Sequence, residues 1–373
     1  MVRVGGTLPR ALARLAEVHV AGGDVLHVVD LRRDLTHLDE RVDGVDQNAA
    51  QRRIDRRAGI PLLASTLPGI AALDLRNHET PAPGVFGMAY DGQDMWAASQ
   101  FGGAFRLAGR GPLNGAGAVT PVSLGTPVFG AAYDGVAHVW FSGTQADRVF
   151  AVNRQTLRVT PVTSAGTPFA LALGAGMMWV GNFAAGTVSA YDIGTFQLRF
   201  TVNLVTSSGA APQALAFDGT AMWVGCSNGR LLRVSTQGAV EFSQGFNDIG
   251  IRGLAFDGAV LWLVTGQMFG TTGQVDRVDV LTGQRPSGAT VFSGDELLCD
   301  GSQMWVYDAL QSDAAGFQAS LARRDCATGS VQGSMVINQL LSAWAFDGTH
   351  AWAALRANGA GLETIRVRKI LAV

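Results

Sequence analysis

Lysine is almost missing from this chain. Lys369 stands alone against 27 arginines, an imbalance that reads as codon usage in a GC-rich genome rather than as a binding device. Acidic and basic residues nearly cancel, and a formal net charge of −2 gives no reason to expect nucleic acid or an anionic membrane as partner. No apolar run approaches the ~18–20 residues that a membrane span requires, so no membrane insertion is expected. Only three cysteines occur, Cys226, Cys299 and Cys326. They lack metal-ligand spacing, and an odd count argues against a disulfide framework. Arg10, Arg14 and Glu17 fall where a signal peptide would need its apolar core, so no secretion signal is expected. Cytoplasmic synthesis follows, without fixing where the product acts.

What the chain has in abundance is repetition. Ala216-Phe217-Asp218-Gly219 leads to Trp223, and the same unit recurs at Ala89–Trp96, Ala132–Trp140, Ala255–Trp262 and Ala345–Trp352. Degenerate copies run from Leu173 to Trp179 and from Cys299 to Trp305. Seven of the eight tryptophans therefore share one repeat position, 39 to 47 residues apart. A period of this length built from strand-turn-strand units is the mark of a β-propeller, and seven copies predict seven blades. Forty-eight glycines and a charged content of only 16% fit an all-β, turn-dense chain.

The fourth copy shows what each part does. Gln213–Phe217 is a short apolar run suited to an inner strand. Asp218-Gly219 makes the tight turn, since Asp bonds nearby backbone and Gly tolerates positive φ. Met222–Gly225 carries Trp223 as a large apolar plate for the wedge between blades. Arg230–Ser235 alternates like a half-buried third strand, and Ala239–Ser243 forms the outer edge. The Asp-Gly positions are accordingly structural. Ala71–His78 precedes the first unit and matches an outer strand, while the last repeat ends after its third strand. The expectation is that Ala71–His78 completes blade seven and removes the exposed edge.

The leading residues differ in character. Residues 1–58 hold 19 of the 58 charged residues. Residues 1–27 read as an attachment segment and 28–58 as a polar helix. There Val28, Leu31, Leu35, Leu38, Val42, Val45 and Ala49 follow heptad a and d spacing. This pattern predicts either a self-associating stalk, most simply a trimer through Val28–Ala49, or one amphipathic helix lying on the propeller. A connector spans 59–70, and the propeller takes 71–373.

The Phe/Tyr-Asp-Gly…Met-Trp-Val repeat resembles the streptogramin-lyase-like and quinoprotein-dehydrogenase-like seven-bladed propellers over residues 71–373. That resemblance implies architecture and leaves function open among lyases, lactonases, dehydrogenases and binding modules. The lyases of this group use a histidine and glutamates around a divalent metal at one mouth of the channel. Here the propeller offers only His78, His138 and His350, no Glu-x-His pair, and in its repeats only Glu241, Glu296 and Glu363. Acid–base work wants a titratable pair converging on one pocket, and the spacing offers none. No nucleophile elbow, zinc pattern or phosphate loop is present. No catalytic residue, metal or cofactor is therefore assigned.

The stretch Leu35–Asp46 resembles the short coiled coils of phage tail fibres. Together these features point to a virion appendage whose propeller head binds a receptor, a glycan or another virion protein. The alternatives are a host-encoded scaffold for protein partners and a propeller enzyme of the lyase or lactonase type. Binding is expected on the face of the turns between second and third strands. Two of these look long and adjacent, Gly266–Gln274 and Asp308–Gly316. They would bring Met268 and Phe269 beside Asp308, Gln311, Ser312 and Asp313, with Phe101 and Phe183 in the equivalent turns of other blades.

Overall fold

A computed structural model describes residues 73–108, 118–204, 210–246, 249–266, 273–286, 291–299, 303–313, 316–357, 361 and 366–372. The expected attachment segment, polar helix and connector lie outside these residues, as do Met268 and Phe269. The chain folds as an all-β propeller. Among the described residues there is no helix, and hence none long and apolar enough to cross a membrane. Their strands form seven four-stranded antiparallel sheets.

The innermost strands are Val85–Tyr90, Ala131–Tyr133, Pro168–Gly174, Pro212–Phe217, Ile251–Phe256, Glu296–Cys299 and Gln339–Phe346. We number the sheets one to seven in this order. Each inner strand neighbours the next, and the seventh neighbours the first, so the strands surround a central axis. Sheet four illustrates the unit: Pro212–Phe217, Ala221–Cys226, Arg230–Ser235 and Val240–Gly245 pair in chain order. Sheet seven is completed from elsewhere. Its outer strand is Leu73–Pro81, paired antiparallel with Arg366–Ala372, close to the Ala71–His78 expected to fill this place.

The repeat tryptophans hold the sheets together. All seven are at most 2% exposed and pack in the apolar layers between neighbouring sheets. Burying an indole leaves its N–H in need of an acceptor, and this explains the Asp of the turn. Asp218 Oδ1 accepts from the Thr220 and Ala221 amides, each at 2.7 Å, while Oδ2 accepts from Trp223 Nε1 at 2.8 Å. Asp91, Asp257 and Asp347 serve Trp96, Trp262 and Trp352 likewise, at 2.7–2.9 Å. Sheet three has Gly174 instead of Asp, and Trp179 Nε1 donates to the Gly174 carbonyl at 3.2 Å. In sheet two, Asp134 Oδ2 faces His138 Nδ1 at 3.2 Å, and the buried Trp140 Nε1 has no partner among the described residues. In sheets one, four, five and seven one residue type thus fixes the turn and satisfies the core.

Candidate functional site

The residue five positions before each turn follows the ring closely. In sheets one to seven it is Phe86, Phe129, Phe169, Gln213, Arg252, Asp295 and Ser342. The pairing register slips at this point in sheets one, three, four, five and seven, between residues such as Val85 and Gly87 or Pro212 and Ala214. A bulge of this kind re-aims the extra side chain. It lies at the start of each inner strand, on the face opposite the Asp-Gly turns. The result is a ring of seven side chains at one mouth of the axis.

This ring is divided by chemistry. Phe86 and Phe129 have ring centroids 5.2 Å apart, and Phe129 and Phe169 6.1 Å. Phe183, from the turn after the second strand of sheet three, continues the row at 6.0 Å from Phe169. All four rings are half-buried, which leaves an aromatic arc along sheets one to three. The glycines beside it have a physical cause. A Cβ on Gly87 would stand 2.2 Å from the Phe129 carbonyl oxygen, and one on Gly130 would stand 2.4 Å from that of Phe169. Neighbouring inner strands approach too closely there for any side chain.

Sheets four to six supply the polar side. Gln213 is 8% exposed, and its Oε1 has no hydrogen-bond partner among the described residues. Arg252 and Asp295 form an ion pair between sheets five and six, with both side chains nearly buried. Asp295 also accepts from the Gly273 amide at 2.9 Å and the Ala309 amide at 2.7 Å. Its carboxylate is fully engaged, and the pair neutralises itself.

Glu296 differs. It occupies the position that is Gly87, Gly130, Ala170, Ala214, Gly253 and Ala343 in the other sheets. Its side chain is exposed to solvent, with the inner strands of sheets five and seven flanking its own. Desolvation there pushes its carboxyl up to about 7; Arg252 opposes the shift and Asp295 adds to it. Asp308, half-buried on the next strand, is also raised, first by burial and then by Asp295, with Arg324 opposing.

The expected binding residues divide. Phe101 is 58% exposed in the turn between Met95–Ser99 and Gly103–Leu107, on the mouth face. Phe183 joins the aromatic arc. The expected loop Asp308–Gly316 needs correction. Strand Gln303–Asp313 runs through it and pairs with Gly316–Asp325, so Asp308, Gln311, Ser312 and Asp313 lie on an extended hairpin rather than in a loop. Reading the stretch by its length alone hid this. The residues missed were Phe86, Phe129, Phe169 and Glu296. Phe-Gly two residues before Ala-Tyr-Asp-Gly in one copy, and Phe-Gly-Ala in the next, was the available signal.

His138 and His350 belong to the far face. His138 Nδ1 and His350 Nδ1 lie 3.2 and 3.3 Å from Asp134 and Asp347 in the Asp-Gly turns. Among the described residues no group of three or more His, Cys, Asp or Glu is placed to hold a metal ion.

The sequence matches no protein-family model and no curated protein. In structure the chain is similar to selenomethionine-substituted virginiamycin B lyase from Staphylococcus aureus, with a TM-score of 0.61 and 15% identity over 78% of this chain and 96% of that one. It is similar to a streptogramin B lyase, with a TM-score of 0.61 and 13% identity over 81% and 97%. A catalytically inactive variant of virginiamycin B lyase from Staphylococcus aureus with quinupristin gives a TM-score of 0.62 and 15% identity over 81% and 100%. At this identity the likeness is one of fold: the chain is built as a β-propeller of the streptogramin B lyase shape.

Proposed function

We propose that the chain is a binding protein whose seven-bladed propeller, closed by Leu73–Pro81, captures its ligand at the axial mouth. One observation carries this reading: a row of half-buried, mutually contacting phenylalanines faces a polar arc across the same opening. Apolar walls with a few placed polar groups are the usual make-up of a ligand site. The finer reading is a non-enzymatic virion appendage, a phage tail fibre or similar, whose head engages a receptor, a glycan or another virion protein. It is supported by the heptad pattern of Val28–Ala49, which would trimerise the chain, and by the leading segment that would anchor it. Virions would then be its place of action after synthesis in the cytoplasm. Sedimentation of the full chain as a monomer would count against the trimer.

The second reading is an enzyme. It is favoured by the lyase-shaped fold and by Glu296, whose carboxyl near neutrality suits a general base. The two are separated by paired variants. In the binding reading Phe129→Ser abolishes attachment to the target cell, while Glu296→Gln alters its affinity without loss of any turnover. A Phe129→Ser chain that folds and attaches normally would remove the mouth as the site.

A further inference from the structure

Glu296 is the one carboxylate at a ring position that is Gly or Ala in the six other sheets. Among the described residues, charged and titratable groups near it are few. Arg252 comes from sheet five, Asp295 precedes Glu296 in its own sheet, and Tyr307 and Asp308 stand on the adjacent strand. The inner strand of sheet seven, Gln339–Phe346, carries no charge. Arg252 is already committed to Asp295. Glu296 itself accepts no hydrogen bond from the described residues, whereas Asp295 accepts three. Among the described residues Glu296 is thus a mouth carboxylate that faces solvent without a hydrogen-bond donor of its own, with Arg252 acting on it only at a distance, and it is open to a cation or donor.

Across the axis from sheet six lies the aromatic arc of sheets one to three. Faces of phenyl rings attract cations and pack against methylenes, but they offer nothing to an anion. We infer that the mouth selects a ligand presenting a protonated alkylamine, its N–H donors on Glu296 and its methylenes against Phe86, Phe129 and Phe169. This rests on the proposed binding role of the mouth. The amine can belong to a free small molecule or to a lysine side chain, since the recognising chemistry is the same.

Proton linkage gives the inference a signature. A carboxyl pushed up to about 7 is largely protonated in weak acid and becomes a better partner for a cation as it ionises. Affinity for an ammonium should rise with pH from 5.5 to 8, and binding should release protons near neutrality. A neutral ligand of the same shape should show neither effect.

The test is saturation-transfer NMR on the full chain with butylammonium, butanol and butyrate at pH 8 and pH 5.5. Wild type should bind butylammonium about tenfold more tightly than butanol at pH 8, a margin of about 1.4 kcal/mol. That margin should shrink severalfold at pH 5.5, and butyrate should bind worst. Glu296→Gln should erase it, bringing butylammonium to the affinity of butanol. Butanol or butyrate binding as well as the ammonium at pH 8, or a Glu296→Gln chain that keeps the margin, would overturn the inference. If butanol binds wild type, fails on Phe129→Ser, and no amine preference appears, the ammonium fails while the mouth survives as a site. If no probe binds, the inference falls, and normal attachment by Phe129→Ser would show the site itself to be wrong. Acetyl-Gly-Lys-Gly-amide run beside butylammonium separates the sources: a tighter peptide identifies a protein lysine, equal binding a free amine.

Discussion

Replacing Asp218 by Asn tests whether the repeated Asp is there for the tryptophan. Asp218 uses both oxygens: Oδ1 for two turn amides and the Thr220 hydroxyl, Oδ2 for Trp223 Nε1. Arg233 Nε adds a contact to Oδ2 at 3.3 Å. Asparagine keeps only one acceptor. Set toward the amides, it turns its NH₂ onto the indole N–H; set toward the indole, it turns NH₂ onto the amides. Either way a buried donor loses its partner, because Trp223 is 0% and Ala221 1% exposed. An orphaned buried donor costs about 1–3 kcal/mol, and the weakened charge-assisted bonds add about 1 kcal/mol. The expected loss is about 2–4 kcal/mol in equilibrium urea unfolding, with faster exchange of the Trp223 indole proton. Sheet three supplies the control. Its turn has Gly174 in place of Asp and satisfies Trp179 through a carbonyl, so Gly176→Asn should leave that indole proton protected. An Asp218→Asn chain within about 0.5 kcal/mol of wild type would refute the assignment.

Two further outcomes follow from closure and titration. Removing residues 1–81 should expose the edge of Arg366–Ala372 and lower the melting temperature by roughly 10 °C or more, whereas removing residues 1–58 should not; equal melting would show that Leu73–Pro81 does not seal the ring. Burial works to raise the carboxyls of Asp218 and Asp347, but their turn and indole hydrogen bonds outweigh it and hold both below the ordinary value. Their contribution is complete above about pH 4 and is lost as pH falls through the lowered values. Glu296 has the opposite sign: raised to about 7, it favours the fold most at low pH and loses that contribution as pH climbs through neutrality. Stability followed between pH 4.5 and 8 should therefore decline in wild type and flatten in Glu296→Gln.

Much of the architecture was legible because a propeller writes its period into the chain. Trp223 and its counterparts mark the second strands, and the ladder of sheet four falls within a residue or two of the stretches read from apolar alternation. The closing strand was legible by subtraction, since the last repeat was one strand short. The site was less so. Phe86 and Phe169 look like ordinary inner-strand apolar residues until the bulge turns them to the mouth, and a bulge leaves no compositional trace. Glu296 was visible as a rare glutamate, but its meaning depends on a ring position shared with six small residues. The hairpin Gln303–Asp313 was misread because Ser312 and Asp313 are turn-forming types, and the pairing of Asp313 comes from Gly316 on the partner strand.

The central claim is that binding uses the mouth face rather than the Asp-Gly face, and labelling tests it directly. With Cys299 and Cys326 replaced by Ser, and Cys226 left because it is buried, a single cysteine is placed at Phe101 or at Val136. These are 58% and 65% exposed on opposite faces. Each is then coupled to a bulky maleimide, and attachment of the labelled chain to target cells is measured. The label at position 101 should block attachment and the label at 136 should leave it intact. Attachment blocked only from position 136 would contradict it.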